Sequence, residues 1–338
     1  LWLKSVAGLL VCICLLFGII WLNDEEEATE IPVETEKVFV QEDQYFDKTQ
    51  EETEIISYNP VEISVFESEC GEIKKVHLED YLVNVLAGEM PASYEPEALK
   101  AQAVAARTYI AWKRAGVGCK QKDGADVCTD SMCCMAYWDE ETMAEHWGDK
   151  EEAYLSKLTQ AVKETAGEIL LYDGEPIQAV FHASSGGFTE DAVAVWGQAF
   201  PYLQSVTSAE DAESEAVIFS KAELAKRVNT AFPTAKLTKS NAEKQLKVLS
   251  VTSGGRVERM QAGKITLTGK QVRETLGLRS AAFSVEFSGD QAIFTVTGYG
   301  HGVGLSQLGA EKMAQEGAGY REILMHYYSG VEIGKMGE

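Results

Sequence analysis

Hydrophobic and polar positions divide the chain into three stretches with different periods. Residues 5–22, SVAGLLVCICLLFGIIWL, are apolar or small and carry no charge. Such a run is close to the ~20 residues a helix needs to span a bilayer. Residues 23–58 show no apolar period. From Val61 onward, periods of two and of 3.6 follow one another, as in a folded domain.

Within that third stretch VEISVF alternates, ECGE makes a turn and IKKVHL answers it, predicting a hairpin over 61–78. EDYLVNVLAGEM then spaces Tyr81, Leu82, Val85 and Leu86 on one helical face, with Glu79 and Asp80 in the first turn and Pro91 as the stop. A second helix over roughly 97–115 is rich in alanine (Ala98, Ala101, Ala103, Ala105, Ala106, Ala111) and ends at Gly116 and Gly118. Its small side chains allow close approach, so it is expected to be central. Residues 139–166 read as one more polar helix ending at Gly167. GEILLYDGEPIQAVFHASSGG reads as strand, turn and strand. SKAELAKRVN is a short helix, 245–298 alternates like strands around a short helical QVRETLGL, and 309–330 is helical with a glycine break. Antiparallel strands mixed with helices, without regular βαβ alternation, indicate an α+β fold.

Charge assigns the outer stretches. Lys4 precedes the apolar run and Asp24 to Glu27 follow it, so the positive-inside bias leaves the N-terminus in the cytoplasm. The expected organisation is a transmembrane anchor at 1–22, an acidic extended linker at 23–58 and one large extracytoplasmic domain at 59–338, held at the cell membrane by a single pass. A cleaved signal peptide is the competing reading, and it too puts the domain outside the cytoplasm. The formal net charge of −23 argues against a nucleic-acid partner. The balance inverts between 244 and 279, where Lys244, Lys247, Arg256, Arg259, Lys264, Lys270, Arg273 and Arg279 face only Glu258 and Glu274. These are either solvated strand faces or a positive patch for an anionic polymer.

Three segments carry candidate chemistry. In LAGEMP, Glu89 stands at a helix end among apolar, glycine and proline neighbours. It is either a solvated helix-end residue or a carboxyl whose proton is used, because burial and the negative helix end both raise its pKa. Cys119, Cys128, Cys133 and Cys134 form C-x8-C-x4-CC. Tetrahedral zinc, with His146 as an alternative fourth ligand, competes there with disulfides and free thiols. GYGHGVGLSQLGA at 298–310 is glycine-dense enough for close backbone approach, but it is neither a P-loop nor a dinucleotide fingerprint. FHASSGG brings His182 and Ser184 together without fitting G-x-S-x-G, so a turn packed under a site is the better reading. No organic cofactor is indicated.

The chain resembles the SpoIID/LytB family in YLVNVLAGEMPASYEPEALKAQAVAARTY, TDSMCCMAYW, AVFHASSGG, SGGRVERM, LTGKQVRETLGLRS, GYGHGVGLSQLGAEKMA and EILMHYYSG, which run in family order. It departs at Cys133, where many relatives carry histidine. The resemblance implies a lytic transglycosylase that cleaves peptidoglycan glycan strands during sporulation engulfment and prefers strands whose stem peptides an amidase has removed. It implies Glu89 as catalytic acid, and an amidase and a membrane protein of the engulfment machinery as partners. By motif position His301, Ser306 and Gln307 are expected on the wall of the glycan cleft, with Arg107 as a carboxylate partner. Peptide-free muramic acid carries a lactyl carboxylate, which the 244–279 patch would receive. The family's other branch offers the rival reading, a non-catalytic wall-binding enhancer of an amidase.

Overall fold

The structure, a computed structural model, describes residues 61–116, 118–210 and 213–336. The expected anchor and most of the acidic linker lie outside the described residues. Among the described residues no helix is long and apolar enough to cross a membrane.

The alternating opening segment forms β1 (Glu62–Glu67) and β2 (Glu72–His77), an antiparallel pair turning at Gly71. The chain passes directly into α1 (Leu78–Glu89), whose apolar face buries Leu78, Tyr81, Leu82, Val85 and Leu86. Pro91 cannot continue the helix, and the Met90 amide closes the last turn on the Leu86 carbonyl. In α2 (Pro96–Ala115) proline stands at the first helical position, as its missing N–H permits. The alanines of α2 are buried on several faces, so α1 and several later helices can all pack against it. It is the central helix that its composition predicts.

A short strand, β3 (Val127–Cys128), pairs parallel to β1. The helix expected over 139–166 is two helices, α3 (Glu140–Trp147) and α4 (Glu151–Glu164), joined by a 3-10 turn. Gly148 breaks it with φ +51°, a conformation a helix interior does not accommodate. β4 (Glu168–Tyr172) and β5 (Glu175–Pro176) flank the Asp173–Gly174 turn. The second strand is cut short at Pro176, and the chain regains pairing only at β6 (Phe181–His182) before α5 (Ala192–Trp196).

Residues 214–297 then build a second core. β7 (Ser214–Ser220), α6 (Lys221–Ala231), α7 (Ala242–Gln245), β8 (Leu246–Val251), β9 (Val257–Ala262), β10 (Ile265–Thr268), α8 (Gly269–Leu276), β11 (Phe283–Ser288) and β12 (Gln291–Thr297) form two three-stranded antiparallel sheets with helices. They close on Phe219, Leu224, Met260 and Phe294. A Thr268–Gln271 capping box starts α8 and Gly277 ends it in the left-handed conformation.

The chain returns to the first core through β13 (Leu305–Ser306), parallel to β6, then α9 (Gln307–Gln315), α10 (Tyr320–Tyr327) and β14 (Glu332–Lys335), antiparallel to β4. The fold is α+β as expected, with several antiparallel sheets and two short parallel pairs. The return to the first core sets Gln307 beside the end of α1, while Arg256 of the second core reaches the Ser185 and Phe188 carbonyls.

Candidate functional site

Glu89 closes α1, and its carboxylate meets a loop from a distant part of the chain. The Ala136 N–H donates to Oε1 at 2.6 Å. Gly88 makes this approach possible, because a Cβ there would lie 2.9 Å from the Tyr137 nitrogen and 3.1 Å from the Ala136 carbonyl carbon. Burial raises the pKa of Glu89, while Ala136 and the Gln307 amide pull it back in part. The net shift is upward, so the proton is held more tightly than on an ordinary glutamate.

Gln307 is brought to Glu89. It is buried, and its Nε2 falls short of a full hydrogen bond, remaining without a partner. Ser306 plays a different part. Its hydroxyl caps α9 by accepting from the Gly309 N–H at 3.3 Å and donates to Glu210 Oε2. The same carboxylate also accepts from the Ser184 hydroxyl at 2.7 Å, the Gly186 N–H at 2.7 Å and the Ser208 hydroxyl at 2.8 Å. These donors hold the Glu210 pKa below the usual value against the cost of burial. Glu210 ties the FHASSGG turn to the start of α9, one residue before Gln307. Ser184 is thus occupied as a donor, and fully buried His182 turns its Nδ1 to the Val303 carbonyl. The turn packs under the site; it is not a serine–histidine pair.

His301 faces another space. Together with Trp196, Glu190 and several basic residues it lines a cavity of about 750 Å³ to which Glu89 does not contribute. Its Nδ1 accepts from the Val303 N–H at 3.0 Å. Desolvation, then Arg273 and Arg256, lower its pKa to about 4. The glycines around it answer to packing: a Cβ on Gly302, at φ +85°, would sit 2.2 Å from the Arg256 guanidinium carbon.

Arg107 is not brought to the cleft. Its side chain is fully buried, Nε and Nη2 bind the two oxygens of Glu79, and Nη1 reaches the Glu168 carbonyl at 3.2 Å. Every part of the guanidinium is engaged inside the first core, and none is presented to a ligand.

The sulfurs of Cys119, Cys128, Cys133 and Cys134 all lie within 4.8 Å of one another, and none is in a disulfide. Cys133 and Cys134 are 3.9 Å apart at sulfur. Four thiolates around zinc at ~2.3 Å would stand about 3.8 Å apart, so the donor set fits a tetrahedral ion. Burial pushes the Cys134 thiol up to about 11, so a nearby cation is needed to stabilise the ligating thiolates at neutral pH. His146 is outside the group: its Nδ1 bonds the Thr142 carbonyl and its ring packs on Trp138.

Comparison with known proteins joins this geometry to a family. Residues 67–172 match the SpoIID model, "Stage II sporulation protein", a segment that contains Glu89 and all four clustered cysteines. The chain is 37% identical over 284 residues to stage II sporulation protein D of Bacillus subtilis (strain 168), covering 83% of this chain and 81% of the relative. The chain belongs to the SpoIID family. Stage II sporulation protein D of Bacillus amyloliquefaciens is 35% identical, over 81% and 79% of the two chains. A more distant relative, the amidase enhancer of Bacillus subtilis, is 26% identical over 75% of this chain and 40% of its own length.

Membership in the SpoIID family connects the protein to sporulation and gives it a cell-wall context. Glu210 was not found by sequence reasoning. It stands in SAEDAES, a stretch without motif or period, and only the folded chain shows that its carboxylate gathers donors from three segments.

Proposed function

We propose that the protein is a peptidoglycan lytic transglycosylase acting on peptide-free glycan strands, with Glu89 as its single acid–base group. The observation that carries this reading is a half-buried carboxyl at the end of α1, held by the Ala136 N–H at 2.6 Å and with its pKa raised by burial. A retaining glycosidase places its two carboxyl groups ~5–5.5 Å apart, and an inverting one ~6.5–9.5 Å. A lone acid suits a reaction in which the sugar supplies its own nucleophile.

In that reaction protonated Glu89 gives its proton to the glycosidic oxygen as the bond from C1 of N-acetylmuramic acid to that oxygen breaks. The departing N-acetylglucosamine leaves as its 4-hydroxyl. The 6-hydroxyl of the muramic acid attacks C1, and its proton passes to the Glu89 carboxylate. The product carries a 1,6-anhydro ring and the acid is regenerated. Ala136 fixes the carboxyl rotamer from one side, and the buried Gln307 amide lies beside it and eases its ionisation. Zinc, held by the four cysteines, would act as a structural cross-link on the loop carrying Ala136.

The reading includes an outward-facing domain held at the cell membrane and an amidase that supplies the peptide-free strands. A second reading, enhancement of an amidase without cleavage, draws on the amidase enhancer relative. The full chain, incubated with peptide-free strands and analysed by mass spectrometry, separates the two. Anhydro ends support the lytic reaction; faster amidase turnover with no such ends supports the second.

A further inference from the structure

The Glu210 carboxylate is filled on both oxygens. Oε1 accepts from the Ser184 hydroxyl and the Gly186 N–H, and Oε2 from the Ser208 and Ser306 hydroxyls. The Ser208 hydroxyl also meets the Tyr327 hydroxyl of α10 at 2.7 Å. One side chain thus gathers the FHASSGG turn, its own segment, the start of α9 and, through Ser208, α10. Four donors converging on one side chain call for an ionised carboxylate, since an amide of the same shape offers one acceptor oxygen and two N–H donors.

The cluster packs directly against the first turn of α9. A Cβ on Gly309 would lie 2.0 Å from the Tyr327 hydroxyl, 2.2 Å from Ser208 Oγ and 3.1 Å from Glu210 Oε2, so only glycine admits this approach. Ser306 gives its proton to Glu210 and keeps its lone pairs for the Gly309 N–H that it caps. On the other side of Gln307, the Leu308 N–H donates to the Ala183 carbonyl at 3.0 Å. Gln307 is therefore held by its neighbours: its own buried Nε2 has no hydrogen-bond partner among the described residues. Its place beside Glu89 depends on where Ser306 and Leu308 are fixed.

We propose that Glu210 is a positioning residue for the Glu89 chemistry: its carboxylate locks the first turn of α9 onto the FHASSGG turn and so keeps the Gln307 amide against the Glu89 carboxyl. The proposal rests on the glycan-cleaving reading and adds to it the group that aligns the acid's neighbour. As Glu89 gives up its proton the Gln307 amide eases its ionisation, and that help is lost once the amide leaves hydrogen-bond reach. Glu210 acts through Gln307, so its loss should slow the chemical step without weakening strand binding.

The test is a double-mutant cycle on the full-length protein, with kcat and KM for anhydro-end formation measured on peptide-free strands. Gln307→Ala and Glu210→Ala should each lower kcat about ten- to a hundredfold, the scale of a misplaced catalytic contact, with KM unchanged. The double variant should fall no lower than the worse single variant, because the second change removes a contact the first has already broken. Glu210→Gln, which keeps the shape and one acceptor oxygen, should recover part of the rate. Where Glu210→Ala fails to fold, Ser306→Ala cuts the same link to α9 and takes its place in the cycle. Losses in kcat that multiply independently, or a loss confined to KM, overturn the proposal. Amide hydrogen exchange of the Glu210→Gln protein needs no turnover. It should be faster than in wild type across residues 305–310 and unchanged across α1; exchange unchanged in both, or faster in both, also overturns the proposal. Wild-type protein that forms no anhydro ends contradicts the catalytic reading instead, and exchange then decides the positioning alone.

Discussion

The backbone amide of Ala136 reaches the Glu89 carboxylate at 2.6 Å across 47 residues of chain, and Gly88 leaves room for it to do so. The contact joins the end of a helix to the loop that the four cysteines gather. It explains a glycine in LAGEMP that no turn requires. Gly88→Ala should push the 136–137 backbone away and release the carboxyl. Strain of this kind costs about 1–3 kcal/mol, and the catalytic cost should be larger than the loss of stability suggests. Thermal unfolding and product formation measured on the same preparation check this.

Arg107 belongs to the core rather than to the ligand surface. Its bidentate contact with Glu79 is fully buried on the arginine side and partly exposed on the other. Arg107→Met should lower stability by roughly 3 kcal/mol, the lower end for a broken buried pair. Strand affinity of the remaining folded protein should be unchanged. A variant that melts normally but binds strands poorly would return Arg107 to the cleft.

The pH dependence follows from two glutamates shifted in opposite directions. Glu89 holds its proton above the usual 4.5, so the fraction of active acid, and the cleavage rate, should fall as pH rises through its raised value. The same shift opposes folding across that window, because the folded state resists losing the proton. Glu89→Gln should therefore gain stability relative to wild type as pH rises from 4.5 and level off above the raised value. Glu210 is held below 4.5. Its contribution is present above 4.5 and is lost as pH falls through the lowered value. Melting curves and rates over pH 3–8 report both.

Zinc should be found at one ion per chain, and Cys128→Ser or chelation should remove it. Loss of the ion frees the loop that presents Ala136, so both the melting temperature and the cleavage rate should drop, with little effect on a variant of exposed Cys70. Metal analysis with thiol titration decides the matter: metal-free protein containing disulfides would contradict the assignment.

Much of this was legible in local patterns. The β1–β2 hairpin, the two helices around LAGEMP and the alanine-lined centre follow from period, caps and side-chain size. Glu89 stood out because its neighbours could not stabilise its charge, and the cysteine spacing pointed to a shared site before the sulfurs were seen together. What stayed hidden is long-range. The Glu210 hydroxyl network, the Arg107–Glu79 pair and the Gly302–Arg256 contact join segments whose proximity depends on one core being inserted into another. Residues 139–166 misled because a helical period continues through Gly148, whose left-handed backbone breaks the helix there.

The central claim is that one proton on Glu89 drives cleavage. Glu89→Gln preserves the side-chain shape and can still accept from Ala136, but it has no acid to give. Mass spectrometry of peptide-free strands incubated with the folded variant should show anhydro ends reduced at least a hundredfold from wild type, the lower end of what general acid–base catalysis contributes. Anhydro ends formed at the wild-type rate would contradict the account.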